Sequence, residues 1–168
     1  MQASLGRKGD YSVRAVLDIA RHQGERRKAR EIAAEMDIPH RFLTQILAEL
    51  VQVGLLDAVA GRTGGYVLAR PPSEVSLLQV VEAAEGPIAL DVCVLRGGPC
   101  TWEDSCPVHS PWARAQNAMA EHLAGTSFAD LIETAGELDA GTHKLPDDTP
   151  PHKIPTPRLP KPRARRKR

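Results

Sequence analysis

Pro39-His-Arg-Phe-Leu-Thr-Gln-Ile-Leu-Ala-Glu-Leu-Val-Gln-Val53 is the stretch on which the fold turns. Its apolar residues Leu43, Ile46, Leu47 and Leu50 recur with the spacing of one helix face. Pro39 suits a first helical turn, where its missing N–H is not needed, and Gly54 suits the exit. At 100° per residue the opposite face carries Arg41, Gln45, Ala48 and Gln52, with Thr44 beside them and His40 at the start. A helix with a strict apolar face and a back of Arg, Gln and Thr can pack on a core while offering hydrogen-bonding side chains outward.

Working outward, a shorter helical pattern precedes it at Arg30 to Met36, with Ile32, Ala33 and Met36 apolar. Before that, Asp10 to about Gln23 places Val13, Val16, Leu17 and Ala20 on one face. After it, the apolar runs Leu55–Ala60 and Tyr66–Ala69 flank Gly61-Arg-Thr-Gly-Gly65 and predict a β-hairpin with a Gly-rich tip. Ser76 opens a fourth helical pattern to Glu85, stopped by Gly86-Pro87. Pro107 to Ala124 is a long helix ended by Gly125, and Ser127-Phe-Ala-Asp130 is a capping motif for a last helix with Leu131 and Ile132.

The predicted fold class is mainly α, a winged helix-turn-helix with a β-hairpin wing and a long C-terminal helix. The expected organisation is a DNA-binding domain over 1–70, a cysteine-bearing loop with further helices over 71–138 (a cluster-binding loop and dimerisation helices on the family resemblance given below), and a disordered basic Pro-rich tail over 139–168. In a helix-turn-helix the second helix enters the major groove while the first crosses the backbone. Arg41, Gln45 and Thr44 can address base edges there, and Arg62 and Thr63 at the hairpin tip can approach phosphate or minor groove. The DNA-binding residues expected are therefore His40, Arg41, Thr44, Gln45, Gln52, Arg62 and Thr63. The plainer alternative is a solvated helix face and a surface turn.

Composition supports this organisation. Apolar residues make up 42% and aromatics only 4%, which favours packed helices over a β-sandwich. Residues 1–70 carry 11 Lys/Arg against 8 Asp/Glu, residues 71–152 carry 3 against 13, and residues 153–168 carry 8 against none. The first and last segments can face phosphate and the acidic middle cannot. Seven of the 14 prolines lie from Pro146 onward, where apolar periodicity disappears and ordering entropy has nothing to offset it. The basic tail reads as a nonspecific electrostatic arm or as a solubilising or acidic-protein-binding tail. No apolar run approaches a membrane span and no signal-like start is visible, so a cytoplasmic protein is expected.

All three cysteines fall in one segment, Cys93-x6-Cys100-x5-Cys106-Pro-Val-His109. An odd, clustered set argues against a disulfide framework and towards thiolate or metal chemistry. Thiolates suit zinc, Cu(I) and iron–sulfur clusters, and His109 can complete a four-ligand set. The spacing is wider than the paired knuckles of most structural zinc sites. A mononuclear zinc site, a metal-free thiol switch and buried free cysteines remain alternatives on the residues alone.

Gly9-Asp-Tyr-Ser-Val-Arg-Ala-Val-Leu-Asp-Ile-Ala20, Ile38-Pro-His-Arg-Phe-Leu-Thr-Gln-Ile-Leu47 and Gly64-Gly-Tyr-Val-Leu-Ala69 together resemble the Rrf family of bacterial winged-helix regulators, which includes IscR, NsrR, RirA and CymR types. The resemblance spans about residues 5–135 and leaves the tail unmatched. It implies operator DNA as partner, a homodimer through the long helix (Trp112, Ala115, Met119 and Leu123 forming its stripe, which could equally pack on its own chain) and no membrane. It also implies an iron–sulfur cofactor, 2Fe–2S or 4Fe–4S, on Cys93, Cys100 and Cys106. His109 matches the IscR-type histidine ligand, and Asp10 matches the carboxylate that an NsrR-type protein supplies from the partner subunit. Asp10 can also be a first-turn acid complementing its helix dipole. Thr44 stands where IscR types carry an acid, and Ala60 where they carry an arginine that Arg62 can replace, so operator preference need not be shared.

The expected activity is transcription regulation in response to iron–sulfur status, nitric oxide or redox stress. The alternatives are a thiol- or zinc-based regulator and a DNA-free protein-interaction module. An enzyme is disfavoured because no phosphate-binding Gly loop, H-E-x-x-H or nucleophile elbow occurs.

Overall fold

A computed structural model describes residues 5–87 and 106–144. Helices α1 (Arg7–Arg21), α2 (Ala29–Glu35) and α3 (His40–Gln52) precede the hairpin β1 (Leu56–Val59) and β2 (Gly65–Leu68). A 3-10 turn at Pro72–Glu74 leads to α4 (Leu77–Glu85), and α5 (His109–Gly125) and α6 (Phe128–Asp139) follow. This is the helix-turn-helix with wing that the sequence predicts. Two details differ: Pro39 caps α3 from outside rather than occupying its first turn, and α5 begins at His109, two residues later than expected.

The tight α2–α3 turn has a local cause. Ile38 N–H reaches back to Ala33 O at 2.9 Å, which requires the intervening Asp37 to adopt a left-handed backbone (φ 49°). Asp tolerates this region better than most non-Gly residues. At the end of α3 the same device recurs with glycine: Gly54 has φ 73° and Leu55 N–H bonds Leu50 O at 3.0 Å. The first device sends α3 off at an angle to α2; the second turns the chain into the wing.

The core gathers Ala15, Val16 and Ile19 of α1, Ile32 of α2, Leu43, Leu47 and Leu50 of α3, then Leu56, Val75, Val80 and Phe128. The buried face of α1 is broader than predicted and rotated. Ser12, Ala15, Asp18 and Ile19 are buried while Val13 and Leu17 are only partly covered. The reason is that α1 touches α2, α3 and β2 as well as α4 and α6, so a single stripe cannot describe it.

α4 and α6 start side by side. Leu77 N–H donates to Thr126 O (2.8 Å) and Phe128 N–H to Val75 O (2.9 Å), a short antiparallel bridge ahead of both helices. Each start is a capping box, Ser76 with Gln79 and Ser127 with Asp130. The Ser127 hydroxyl and N–H hold the Asp130 carboxyl below its ordinary range. At the other end of α4, the Glu85 carboxylate accepts from Gly9 N–H at 2.8 Å and so caps α1. A Cβ at position 9 would stand 2.6 Å from that Glu85 oxygen, so a side chain there would push the capping carboxylate aside.

Candidate functional site

α3 presents two unlike faces. Leu43, Ile46, Leu47 and Leu50 are buried, and His40, Arg41, Thr44, Gln45, Ala48 and Gln52 are all exposed on the other side. The buried leucines hold the helix rigidly, so the outward side chains project from a fixed rod. Thr44 Oγ1 donates to Arg41 O (3.1 Å), and the Arg41 guanidinium stacks 4.7 Å from the Phe42 ring centre. Gln45 Nε2 donates to Glu49 Oε1 (3.3 Å), and Glu49 is in turn gripped by Lys8 of α1 at 2.6 Å. The Lys8 ammonium keeps the Glu49 carboxyl below its ordinary value, with the Gln45 amide adding to the effect. Lys8 and Arg7 line a notch of about 200 Å³ with Tyr11, Phe42 and Ile46 beside the recognition face. The start of α1 therefore belongs to this surface, which helix periodicity in α3 alone could not reveal.

The wing pairs Leu56 with Leu68 through to Val59 with Gly65. Its tip closes through Gly64 N–H to Gly61 O at 3.0 Å, with Gly61 at φ 106°. A Cβ at Gly64 would lie 2.1 Å from Val59 O, so only glycine fits there. Arg62 and Thr63 are exposed on this tip, and Arg26 donates to Thr63 O at 3.4 Å. Arg41 and Gln45 on α3 and Arg62 and Thr63 on the adjoining wing tip are thus all exposed.

Of the proposed metal ligands, Cys93 and Cys100 lie outside the described residues, as do the basic residues from Lys153 to Arg168. Cys106 is a free, partly buried thiol just ahead of α5, and His109 N–H bonds Cys106 O at 3.2 Å. His109 is itself partly buried. Asp10 is exposed in the first turn of α1, and both its carboxylate oxygens accept from Arg14, at 3.2 and 2.6 Å. Arg14 also donates to Met36 O at 2.5 Å, tying α1 to the end of α2. No group of three or more potential metal ligands occurs among the described residues.

Sequence reasoning missed one buried pair. Asp18 of α1 has no exposure and receives a two-pronged contact from Arg27, at 2.9 and 3.0 Å. The signal was present, since a carboxylate among Val16, Leu17, Ile19 and Ala20 needs a partner.

A helix-turn-helix with an exposed Arg/Gln/Thr face and a Gly-tipped wing defines a winged-helix DNA-binding protein. Residues 5–134 match Rrf2, described as an iron-dependent transcriptional regulator, and the chain belongs to this family. It is therefore a transcriptional regulator that binds DNA rather than an enzyme. It is 32% identical over 136 residues to protein aau3 of Rhizobium meliloti, covering 80% of this chain and 88% of that protein. It is 30% identical to the regulator IscR of Photorhabdus laumondii, over 80% of this chain and 82% of that one. Among solved structures it resembles CymR, the global cysteine regulator of B. subtilis, with a TM-score of 0.69 at 27% identity, covering 79% of this chain and 98% of CymR. No described helix is long and apolar enough to cross a membrane.

Proposed function

We propose that the chain reads operator DNA as a homodimer and that an iron–sulfur cluster controls the fit. The observation that carries the DNA-reading part is the two-faced α3, with Leu43, Ile46, Leu47 and Leu50 buried and Arg41, Thr44, Gln45 and Gln52 exposed. Arg41 and Gln45 address base edges, while Arg62 and Thr63 on the wing contact the backbone or minor groove. An Arg41→Ala/Gln45→Ala double variant is expected to abolish specific retardation of a target duplex in a gel shift. Normal retardation would sink the assignment.

The dimer contact is assigned to α5, on which no residue is buried and Met119 is 45% exposed. Trp112 and Leu123, half-buried, border the exposed Ala115 and Met119, so the stripe serves the chain's own packing at its edge and a second copy at its centre.

Cys93, Cys100 and Cys106 are the thiolate ligands of this reading, with membership of an iron-dependent family as support. The donor chemistry fits, since three soft ligands and an imidazole suit iron–sulfur coordination better than a lone hard ion. His109 is favoured as fourth ligand, being one turn from Cys106 with its N–H already bonded to Cys106 O. Asp10 of the partner subunit is the alternative, and its ligation would have to displace Arg14. When bound, such a cluster supplies a centre sensitive to iron supply, oxidation or nitric oxide. Ligation by Cys106 and His109 anchors the 93–109 segment to the first turn of α5. Without it the two subunits settle at a different separation, and paired recognition helices must match half-site spacing.

Protein purified without oxygen is expected to be coloured, to contain iron, and to bind its duplex with an affinity differing at least about tenfold from that of iron-free protein. Colourless protein with equal affinity in both forms would overturn the cluster reading. A metal-free thiol switch is the second reading, favoured by the likeness to a cysteine regulator and by the free Cys106 thiol. It predicts that peroxide changes the affinity of iron-free protein.

A further inference from the structure

The wing is weakly packed. Leu56 is the one fully buried side chain of its two strands, and β2 is only partly covered along its length. A two-stranded hairpin with so little buried surface does not hold its own orientation. Beside the packing of Tyr66 and Leu68 on the core, its direction is held by the segment before α2. Arg27 N–H donates to Tyr66 O at 3.0 Å and Tyr66 N–H to Arg27 O at 2.8 Å, an antiparallel bridge along the free edge of β2. The contact is close enough that a Cβ at Gly65 would lie 2.8 Å from Arg27 O.

Side chains alternate along this edge as in a strand. Arg26 and Lys28 are exposed, whereas the Arg27 side chain turns inward and is only 14% exposed. There its guanidinium forks onto the fully buried Asp18 carboxylate of α1. The hydrogen bonds to Asp18 raise the hold of Arg27 on its proton further, so the guanidinium stays charged. α1 also packs on α3. One residue therefore joins the wing backbone to the helix that supports the recognition helix.

We infer that Arg27 is a positioning residue for DNA binding: its backbone bridge to Tyr66 and its fork onto Asp18 set the wing tip at a fixed angle to α3. Arg62 and Thr63 then meet the duplex together with Arg41 and Gln45 rather than searching for it. This rests on the reading that the wing tip touches DNA.

The test is a double-mutant comparison on the full chain, using a duplex enriched from a random-sequence pool by the parent protein. Arg27→Met alone strands a buried carboxylate and can unfold the chain. The Asp18→Asn/Arg27→Met background removes both charges, so the fold survives while the fork is lost. Arg62→Ala and Arg41→Ala are placed separately in the parent and in this background, and dissociation constants are measured by fluorescence anisotropy.

In the parent, Arg62→Ala is expected to weaken binding about fivefold; in the background lacking the fork the loss shrinks below about twofold. The Arg41→Ala loss is expected to be the same in both. An equal Arg62 loss in both backgrounds would overturn the inference. So would disappearance of the Arg41 loss along with the Arg62 loss, which reports general damage. An Arg62→Ala change without effect in the parent would instead overturn the wing contact itself.

Discussion

Helices α3 and α5 make the clearest contrast in the molecule. α3 has 13 residues and buries four of them completely or nearly so; α5 has 17 and buries none. Both are amphipathic, yet α3 buries one whole face within the chain, whereas α5 touches α4 and buries no residue. The lesson is that the DNA-reading half is a finished structure, whereas the segment bearing Cys106 and His109 opens a helix left uncovered along its length, which the proposed dimer would cover. A regulator needs this division, because a reading head must be rigid while the element that answers a signal must have somewhere to go.

Substitutions on the two helices should behave differently. Leu47→Ala removes a side chain with no exposure at the centre of the core. It is expected to lower stability by about 3 kcal/mol in urea unfolding, whatever the protein concentration. Met119→Lys on α5 is expected to leave urea unfolding of the α1–α3 core nearly unchanged. It should weaken self-association at least about tenfold, roughly 1.4 kcal/mol, in sedimentation equilibrium. A Met119→Lys protein that associates normally would erase the contrast, and α5 would then have to be a solvated arm.

The smallest effect concerns Glu49, at the junction of α3 and α1. Its carboxyl is held down by Lys8, so the pair contributes above the ordinary carboxyl value of 4.5 and the contribution fades as pH falls through the lowered one. Because both side chains are part-exposed, at 43% and 31%, the contribution is within about 0.5 kcal/mol. Glu49→Gln should therefore change stability slightly at neutral pH and not at all in strong acid, measured by unfolding at the two pH values.

How well each region could be read from residues follows the same contrast. The apolar spacing of Leu43, Ile46, Leu47 and Leu50 predicted α3 because its burial is satisfied locally. The Ser127–Asp130 cap and the Gly-rich wing tip were equally plain, each depending on a few adjacent residues. α1 was misjudged in which face it buries because five other elements decide that, and only α2 follows it directly in sequence. The partners in the Asp18–Arg27 fork and the Lys8–Glu49 contact could not be named for the same reason: folding alone brings them close, although the lone carboxylate among apolar neighbours signalled the first. On the side of the cysteines, the family resemblance named ligands that local spacing left open among zinc, thiol and cluster chemistry.

The paired starts of α4 and α6 have a further consequence. Because Val75–Leu77 and Thr126–Phe128 are bonded to each other, the starts of α4 and α6 stay side by side whatever excursion the chain makes between α4 and α5. Residues can be added to or removed from that excursion without moving the point where α6 resumes. The segment between α4 and α5 can thus change in length while the α1–α3 platform keeps its shape.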